Sequence, residues 1–580
     1  MAISSLRYSH LLNSNDQPSA LEKATIQRDI IELEDRLYRM RCAVSPVRSL
    51  LPEVLGQIFV AAATMQYAPG ERIDTGQVVD LSLVCKAWRA AAEMTHSLWA
   101  DVLIPKPGPR VFDKVVAWMG RSGSTPKTLR IRLSSPGSYC ERHAQAWVDA
   151  DDNETSPDPD YPAPRCVLDG VPLLKLLTEG LHLDAFEIGI ATTSCLKLVL
   201  LRVQQEASKG TPWMSLRSMD LRLYDQETGG PEEWWEWQES SDPSASMFNY
   251  LPSSLTSLRI RLPSALSLHR ADDYDTHSQT PIHIPASTLR NLTSFTIVCD
   301  WDGRQIATFL QHCTKVEYLN IEYGIRPMQL WTRETNALVQ HNLPPRIHLP
   351  ELRTLKVHEI PHCTAEHILH FIDAPALLRI EVGIQKSTED EDVFGENEEL
   401  TILRPICLFL DSLGLLHPPR AAILQSLTIS NDDFFEAGFS DIDIISILSP
   451  LLSLKHLIVV AVKFVGDEAK AGDSFAVMRR YMDDHQTLLL PCLEYLEFAD
   501  YYWAFPLESL LRFIEARHRR YAQHQASAGG NKAPDSLRRV VFRNSESITT
   551  LEEDCESAST VALVRRLGIS LECIRPRNWK

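Results

Sequence analysis

Two hydrophobic periodicities divide the chain. Residues 21–47, LEKATIQRDIIELEDRLYRMRCAVSPV, repeat apolar positions at alternating steps of four and three. The set is Ile26, Ile30, Leu33, Leu37, Met40, Val44 and Val47, with mixed charge between. That is a/d heptad spacing, and it predicts an amphipathic helix over 21–46, ended by Pro46. Two arrangements bury such a stripe: packing on the chain's own domain, or pairing of residues 26–47 with a second copy as a short coiled coil.

A second helix opens at LPEVLGQIF (51–59). Pro52 suits the first helical position, and Glu53 complements the positive end of the helix. Val54, Leu55, Ile58, Phe59 and Ala62 then make one broad apolar stripe. The turn-rich insert YAPGERIDTGQ (67–77) closes this helix. A further helix is expected in VVDLSLVCKAWRAAAEM (78–94), with Leu81, Val84, Cys85, Trp88 and Ala92 on one side. HSLWADVLIP (96–105) adds Leu98, Trp99, Val102 and Ile104. Three short helices over about 50 residues are too few to bury Leu51, Ile58, Phe59, Val84, Trp88 and Trp99 among themselves. Their cover comes either from the segments that follow or from another chain.

Beyond residue 106 the pattern changes to alternation, in runs of the form L-x-x-L-x-(L/I/V) that suit half-buried strands. The runs are Leu255/Leu258/Ile260, Leu292/Phe295/Ile297, Val316/Leu319/Ile321, Leu352/Leu355/Val357 and Leu377/Ile380/Val382. Leu424/Leu427/Ile429, Leu454/Leu457/Val459, Leu493/Leu496/Phe498 and Leu537/Val540/Phe542 follow, and Leu216/Met219/Leu221 is a weaker early copy. Helix-like stretches such as 302–313 and 365–374 lie between them. The runs start roughly 25 to 45 residues apart, longer and less even than a leucine-rich repeat, so loops interrupt the period. Such strand–helix units bury their faces only by stacking. An irregular leucine-rich-repeat-like solenoid over 106–580 is therefore expected, with a conventional α/β domain on a parallel sheet as the other solution. Three inserts read as solvated loops: 148–164, 231–244 and 387–399. The second carries Trp234, Trp235 and Trp237, which mark either a contact site or a loop folded back on the solenoid.

Composition removes several classes of function. At 580 residues the chain is too long for one core. A formal charge of −18 argues against nucleic-acid or anionic-membrane surfaces, which need clustered Lys and Arg. The N-terminus has no secretory h-region, and the longest aliphatic run, 457–462, is too short to span a bilayer. The 12 cysteines are scattered with no C-x-x-C pair, as expected of reduced thiols in the cytoplasm or nucleus. The sequons at Asn153 and Asn291 then read as chance matches.

One stretch imitates a catalytic motif. HEIPH (358–362) has the H-E-x-x-H spacing of zinc peptidases, with Cys363 and His367 nearby. That chemistry needs both histidines on one face of a helix. Here the motif runs out of the strand LRTLKV, and Pro361 sits where the helix would have to continue. No phosphate loop, dinucleotide fingerprint or nucleophile elbow is present, so no enzyme activity, cofactor or metal is expected.

LPEVLGQIF, LVCKAWR and SLWADV, in this order and spacing, resemble an F-box domain. The matching positions are Leu51, Pro52, Glu53, Leu55, Ile58, Phe59, Val84, Cys85, Trp88, Arg89, Leu98 and Trp99; the insert at 67–77 is longer than the family's usual loop. The resemblance covers under a tenth of the chain. A preceding heptad helix and degenerate leucine-rich repeats behind the box are similar to many fungal F-box proteins. With the resemblance, the chain divides into a flexible tail (1–20), the amphipathic helix (21–46), a three-helix F-box (47–105) and a substrate-binding repeat domain (106–580), the last two as the resemblance implies. The resemblance also implies a substrate receptor of an SCF-type ubiquitin ligase. The box would dock a Skp-type adaptor, and through it a cullin, by Leu51, Pro52, Glu53, Leu55, Ile58, Phe59, Val84, Cys85, Trp88, Leu98 and Trp99. The repeats would hold a protein target, and other subunits would carry the catalysis. The alternative is a leucine-rich-repeat interaction scaffold without a ubiquitin-ligase role, whose F-box-like helices merely cap the solenoid; a zinc peptidase built on 358–362 is more distant still.

Overall fold

The computed structural model describes residues 17–44, 46–65, 72–104, 110–132, 171–190, 193–207, 211–223, 242–262, 282–299, 303–322, 347–361, 372–385, 423–431, 441–460, 474–499, 505–527, 536–543 and 555–574. The chain separates into two compact units, residues 1–102 with 118–125 and residues 103–117 with 126–580.

The first unit is helical: α1 (Ala20–Ala43), α2 (Pro52–Ala63), α3 (Thr75–Leu83) and α4 (Lys86–Met94), then a 3₁₀ turn at His96–Trp99. α1 stops before Pro46, which instead opens a 3₁₀ turn (Pro46–Ser49), because a proline disfavours helical backbone ahead of it. The single helix expected over 78–94 is in fact two. Cys85 is fully extended (φ −162°), so α3 ends at Leu83 and α4 begins anew. α3 also starts earlier than expected. The Asp74 carboxylate accepts from the Gly76 and Gln77 amides at 2.8 and 3.3 Å, capping a helix that begins inside the predicted insert. Thr64–Met65, just ahead of the insert, pair with Arg72–Ile73 inside it as a short antiparallel ladder.

The second unit is built on a fourteen-stranded sheet. Its strands are β1 (Asp101–Ile104, where the division between the units falls), β2 (Thr128–Arg132), β3 (Ala185–Ile190), β4 (Ser218–Leu223), β5 (Ser257–Arg261), β6 (Ser294–Val298) and β7 (Tyr318–Glu322). Then follow β8 (Thr354–Pro361), β9 (Arg379–Gln385), β10 (Ser426–Asn431), β11 (His456–Val460), β12 (Tyr495–Ala499), β13 (Arg539–Arg543) and β14 (Ser570–Ile574). Strand order across the sheet is chain order throughout, and each neighbouring pair from β2 to β14 is parallel. Sequential stacking of parallel strands is the signature of a solenoid, and it decides against a doubly wound α/β domain, whose strand order reverses at a switch point.

Register explains the apolar runs. Leu258, Phe295, Leu319, Leu355 and Ile380 fall in one cross-strand column, and Ile260, Ile297, Ile321, Val357 and Val382 in a second; all are buried. The leading residue of each run, such as Leu255, Leu292 or Leu352, is buried just before its strand. β1, β2, β3 and β14 are not among the expected runs. β3 carries the pattern with a phenylalanine (Leu183, Phe186, Ile188), while Pro126 and Gly568 stand where β2 and β14 would have their leading leucine. The helix expected over 302–313 forms at Gly303–Leu310. Of the stretch 365–374, Ile372–Asp373 is extended and pairs with Ile347–His348, so that end is not helical; residues 362–371 lie outside the described ones. So do 148–164, 231–241 and 387–399, including the three tryptophans.

Candidate functional site

Apolar surface is distributed unevenly between the two units. Of the large apolar side chains exposed among the described residues, only Leu103, Leu198, Leu452 and Val561 belong to the second unit, and all the others to the first. The apolar candidate surface therefore lies on α1–α4.

α2 carries two apolar stripes. Leu55, Gly56, Phe59 and Ala63 turn inward at helical spacing and are buried. They close a core with Val78 of α3, Ala91 and Ala92 of α4, and Leu98 and Trp99 of the 3₁₀ turn. Trp99 donates its indole N–H to the Ala92 carbonyl at 2.6 Å, so its one polar atom is satisfied inside. Gly56 is required by close approach. A Cβ there would lie 2.2 Å from Thr95 Oγ1, which itself donates to the Ala91 carbonyl at 2.7 Å.

The second stripe of α2 faces outward: Leu51 is 66% exposed, Val54 42% and Ile58 46%. Val79 and Leu83 of α3 and the adjoining Val84 are exposed as well. Trp88 bridges the two environments, half-buried, with its ring centroid 5.0 Å from that of Phe59. Pro52, Glu53 and Cys85 are exposed.

The eleven residues named from sequence thus divide by environment. Leu51, Pro52, Glu53, Ile58, Val84 and Cys85 reach the surface, and Trp88 partly does. Leu55, Phe59, Leu98 and Trp99 do not: Phe59 and Leu98 have no exposed area, so these four hold the unit together from within. Phe59, one of the positions the resemblance names for the adaptor, is thus part of the core. Val54, Val79 and Leu83 are exposed too, and sequence reasoning left them out of the site. Val54 was legible as the i+3 neighbour of Leu51; Val79 and Leu83 were not, because the break at Cys85 sets their facing.

The second unit offers another kind of surface. The polar positions between the buried columns form in-register rows on the opposite side of the strands. Arg130 meets Glu187 at 3.0 Å; Arg222 meets Glu187 at 3.2 Å and Asp220 at 2.7 Å. Further along, Arg259 and Arg261 flank Glu322, and Lys356 and His358 flank Glu381. Burial is the main cause that pushes the Tyr318 hydroxyl, in the row beside these, above its ordinary pKa. Near the end of the sheet Arg539 bonds Glu572 at 2.5 Å and holds its carboxyl below the usual range. The rows are polar and of mixed sign, able to hydrogen-bond a peptide or protein surface, with no nucleophile–base pair among these contacts.

HEIPH begins in β8. His358 to Pro361 continue that strand, so these residues cannot form the one-turn helical pair that a zinc peptidase uses; His362, Cys363 and His367 lie outside the described residues. Among the described residues no cluster of His, Cys, Asp or Glu suits a metal ion, and no helix is long and apolar enough to cross a membrane.

No family model matches this chain, and no curated protein does. Among the solved structures, it is similar to a chain from the crystal structure of a TLR13–ssRNA13 complex, at 13% identity and a TM-score of 0.26. That likeness covers 65% of this chain and 43% of the other, so this chain matches less than half the length of that protein.

Proposed function

We propose that this protein is the substrate-recognition subunit of an SCF-type ubiquitin ligase. The outer face of α2 and α3 docks a Skp-type adaptor and, through it, a cullin. The polar rows of the solenoid hold a target protein, and ubiquitin transfer belongs to other subunits.

One observation carries the reading. The helical unit has closed its own core around Phe59 and Trp99, yet leaves Leu51, Val54, Ile58, Val79, Leu83 and Val84 in water. A core that needs no further cover does not account for six exposed aliphatic residues, whereas an interface does, since a few such anchors dominate binding energy. The position of this stripe on the segment that resembles an F-box gives the partner its identity.

The test uses the intact chain and a purified Skp-type adaptor. The wild-type chain binds it stoichiometrically, and Leu51→Asp with Ile58→Asp abolishes binding while hydrogen-exchange protection of the α2 and α4 amides is retained. Failure of the wild-type chain to bind, with the unit folded, overturns the proposal.

A further inference from the structure

α1 exposes its heptad seam. Ile30 is 47% exposed, Leu33 54%, Leu37 48% and Met40 46%, and Val44 beyond the helix end 80%. The spacing assigns Ile26, Leu33 and Met40 to d positions and Ile30, Leu37 and Val44 to a positions. Asp29 and Arg36 then occupy g, and Gln27, Glu34 and Arg41 occupy e. A helix of this length, about 36 Å, is only marginally stable in water without a cover for such a seam.

The flanking charges select the cover. In a parallel pair g faces the following e of the other helix, which sets Asp29 against Glu34 and Arg36 against Arg41. Symmetry repeats both repulsions. In an antiparallel pair a faces d, and g faces g. With Ile30 opposite Leu33 and Ile26 opposite Leu37, the helices overlap along their whole length. That register places Asp29 against Arg36 of the second copy twice over, and Gln27 against Glu34. Lys23 falls at the end of this seam, where its ammonium reaches water. Sliding by one heptad, to Leu33 opposite Leu37, sets Arg36 against Arg36 and Glu34 against Glu34. Complementary charge therefore coincides with full overlap in one arrangement.

We propose that α1 joins two copies of this chain as an antiparallel coiled coil in that register. The inference is independent of the adaptor reading, since it uses no residue of α2–α4.

Sedimentation velocity on the intact protein tests it. The wild-type chain is expected as a reversible dimer, and Leu33→Asp as a monomer whose far-ultraviolet circular dichroism loses at most the share of α1. Asp29→Arg and Arg36→Asp should each weaken the dimer roughly tenfold, because two symmetry-related pairs turn repulsive. The double variant Asp29→Arg/Arg36→Asp restores the pairs and should recover wild-type affinity within about threefold. A parallel coil predicts the opposite for the single variants. The new cation at position 29 would then face Glu34, the new anion at position 36 would face Arg41, and each change would tighten the dimer. A wild-type monomer at tens of micromolar, a dimer that survives Leu33→Asp, or single inversions that leave the dimer unchanged or tighten it would each overturn the proposal.

Discussion

Replacing Ile58 and its neighbour Phe59 by alanine, one at a time, separates interface from core on a single helical turn. Phe59 has no exposed area and packs against Trp88, so Phe59→Ala removes a whole buried ring and leaves a cavity. The expected cost is about 3–5 kcal/mol to the helical unit. Ile58 is 46% exposed. Complete burial of such a side chain stabilises by about 1.5–3 kcal/mol, so roughly 1 kcal/mol remains for a partner to supply and no more than about 1.5 kcal/mol is already realised in the fold. Over Leu51, Val54, Ile58, Val79, Leu83 and Val84 the transfer free energy still to be gained is on the order of 6 kcal/mol, comparable with the lower estimates of what association costs. Ile58→Ala should therefore cost about 1–2 kcal/mol in adaptor binding, five- to thirtyfold in Kd, and less than that in local stability. Titration calorimetry against a Skp-type adaptor reads the first quantity. Hydrogen exchange at the α2 amides reads the second, because opening of this unit alone exposes them. Equal loss of amide protection in the two variants would refute the reasoning, as would unaltered adaptor affinity in Ile58→Ala.

Two further measurements probe the packing directly. Gly56→Ala drives a methyl group into Thr95 Oγ1 and should lower the stability of the helical unit by about 1–3 kcal/mol, with Thr95→Ala in the same chain recovering much of the loss; hydrogen exchange checks both. Cys313 is fully buried in the second unit, and desolvation pushes its thiol up to about 12 from an ordinary 9.0. The folded state therefore keeps a proton that the unfolded chain gives up, so this contribution to stability is intact below pH 9 and falls as pH rises toward 12. At about pH 8.5, near the ordinary thiol pKa, Cys313 should resist iodoacetamide in native protein and react in urea, read by peptide mass spectrometry; rapid native alkylation would contradict its burial.

Legibility followed the range of the interactions involved. The strand runs were readable because a half-buried parallel strand imposes its period locally: Leu258 and Ile260, or Leu355 and Val357, sit two apart whatever the intervening loop does. Strands whose run lacks the leading leucine, β2 and β14, escaped for the same reason. The chain-order stacking of the strands was readable only as one of two solutions, since it depends on contacts between segments separated by loops of uneven length. At the helical site the resemblance picked out residues without sorting them. Leu55 and Ile58 both belong to the apolar arc of α2, and only the packing of α4 and the Trp99 turn against one edge of that arc decides which is core. The helix break at Cys85 was hidden too. VVDLSLVCKAWRAAAEM holds no proline or glycine, so nothing local announces the extended residue that divides it.

That sorting bears on what the first unit is for. An apolar arc wider than its core requires is costly in an isolated protein, because each exposed aliphatic residue invites association and adds little to stability. α2 has such an arc, with Gly56 at the inner edge drawn tight against Thr95 and Leu51 at the outer edge in water. α1 has another, turned outward along its heptad seam from Ile30 to Val44. The two stripes differ in the kind of cover they suit. The α1 seam is narrow, regular and flanked by charges that match a second α1. The exposed aliphatic residues of α2 and α3 come from two helices, and the extended Cys85 follows directly on them, so they do not make the heptad seam of a single helix. One chain carrying both surfaces would bring two adaptors and two solenoids into one assembly, with its valency set by α1. If so, Leu33→Asp should halve the number of adaptors per particle while leaving the affinity of each α2–α3 face unchanged, a separation that mass photometry of the purified complex measures directly. Loss of adaptor affinity in that variant would mean instead that the two stripes are parts of a single interface.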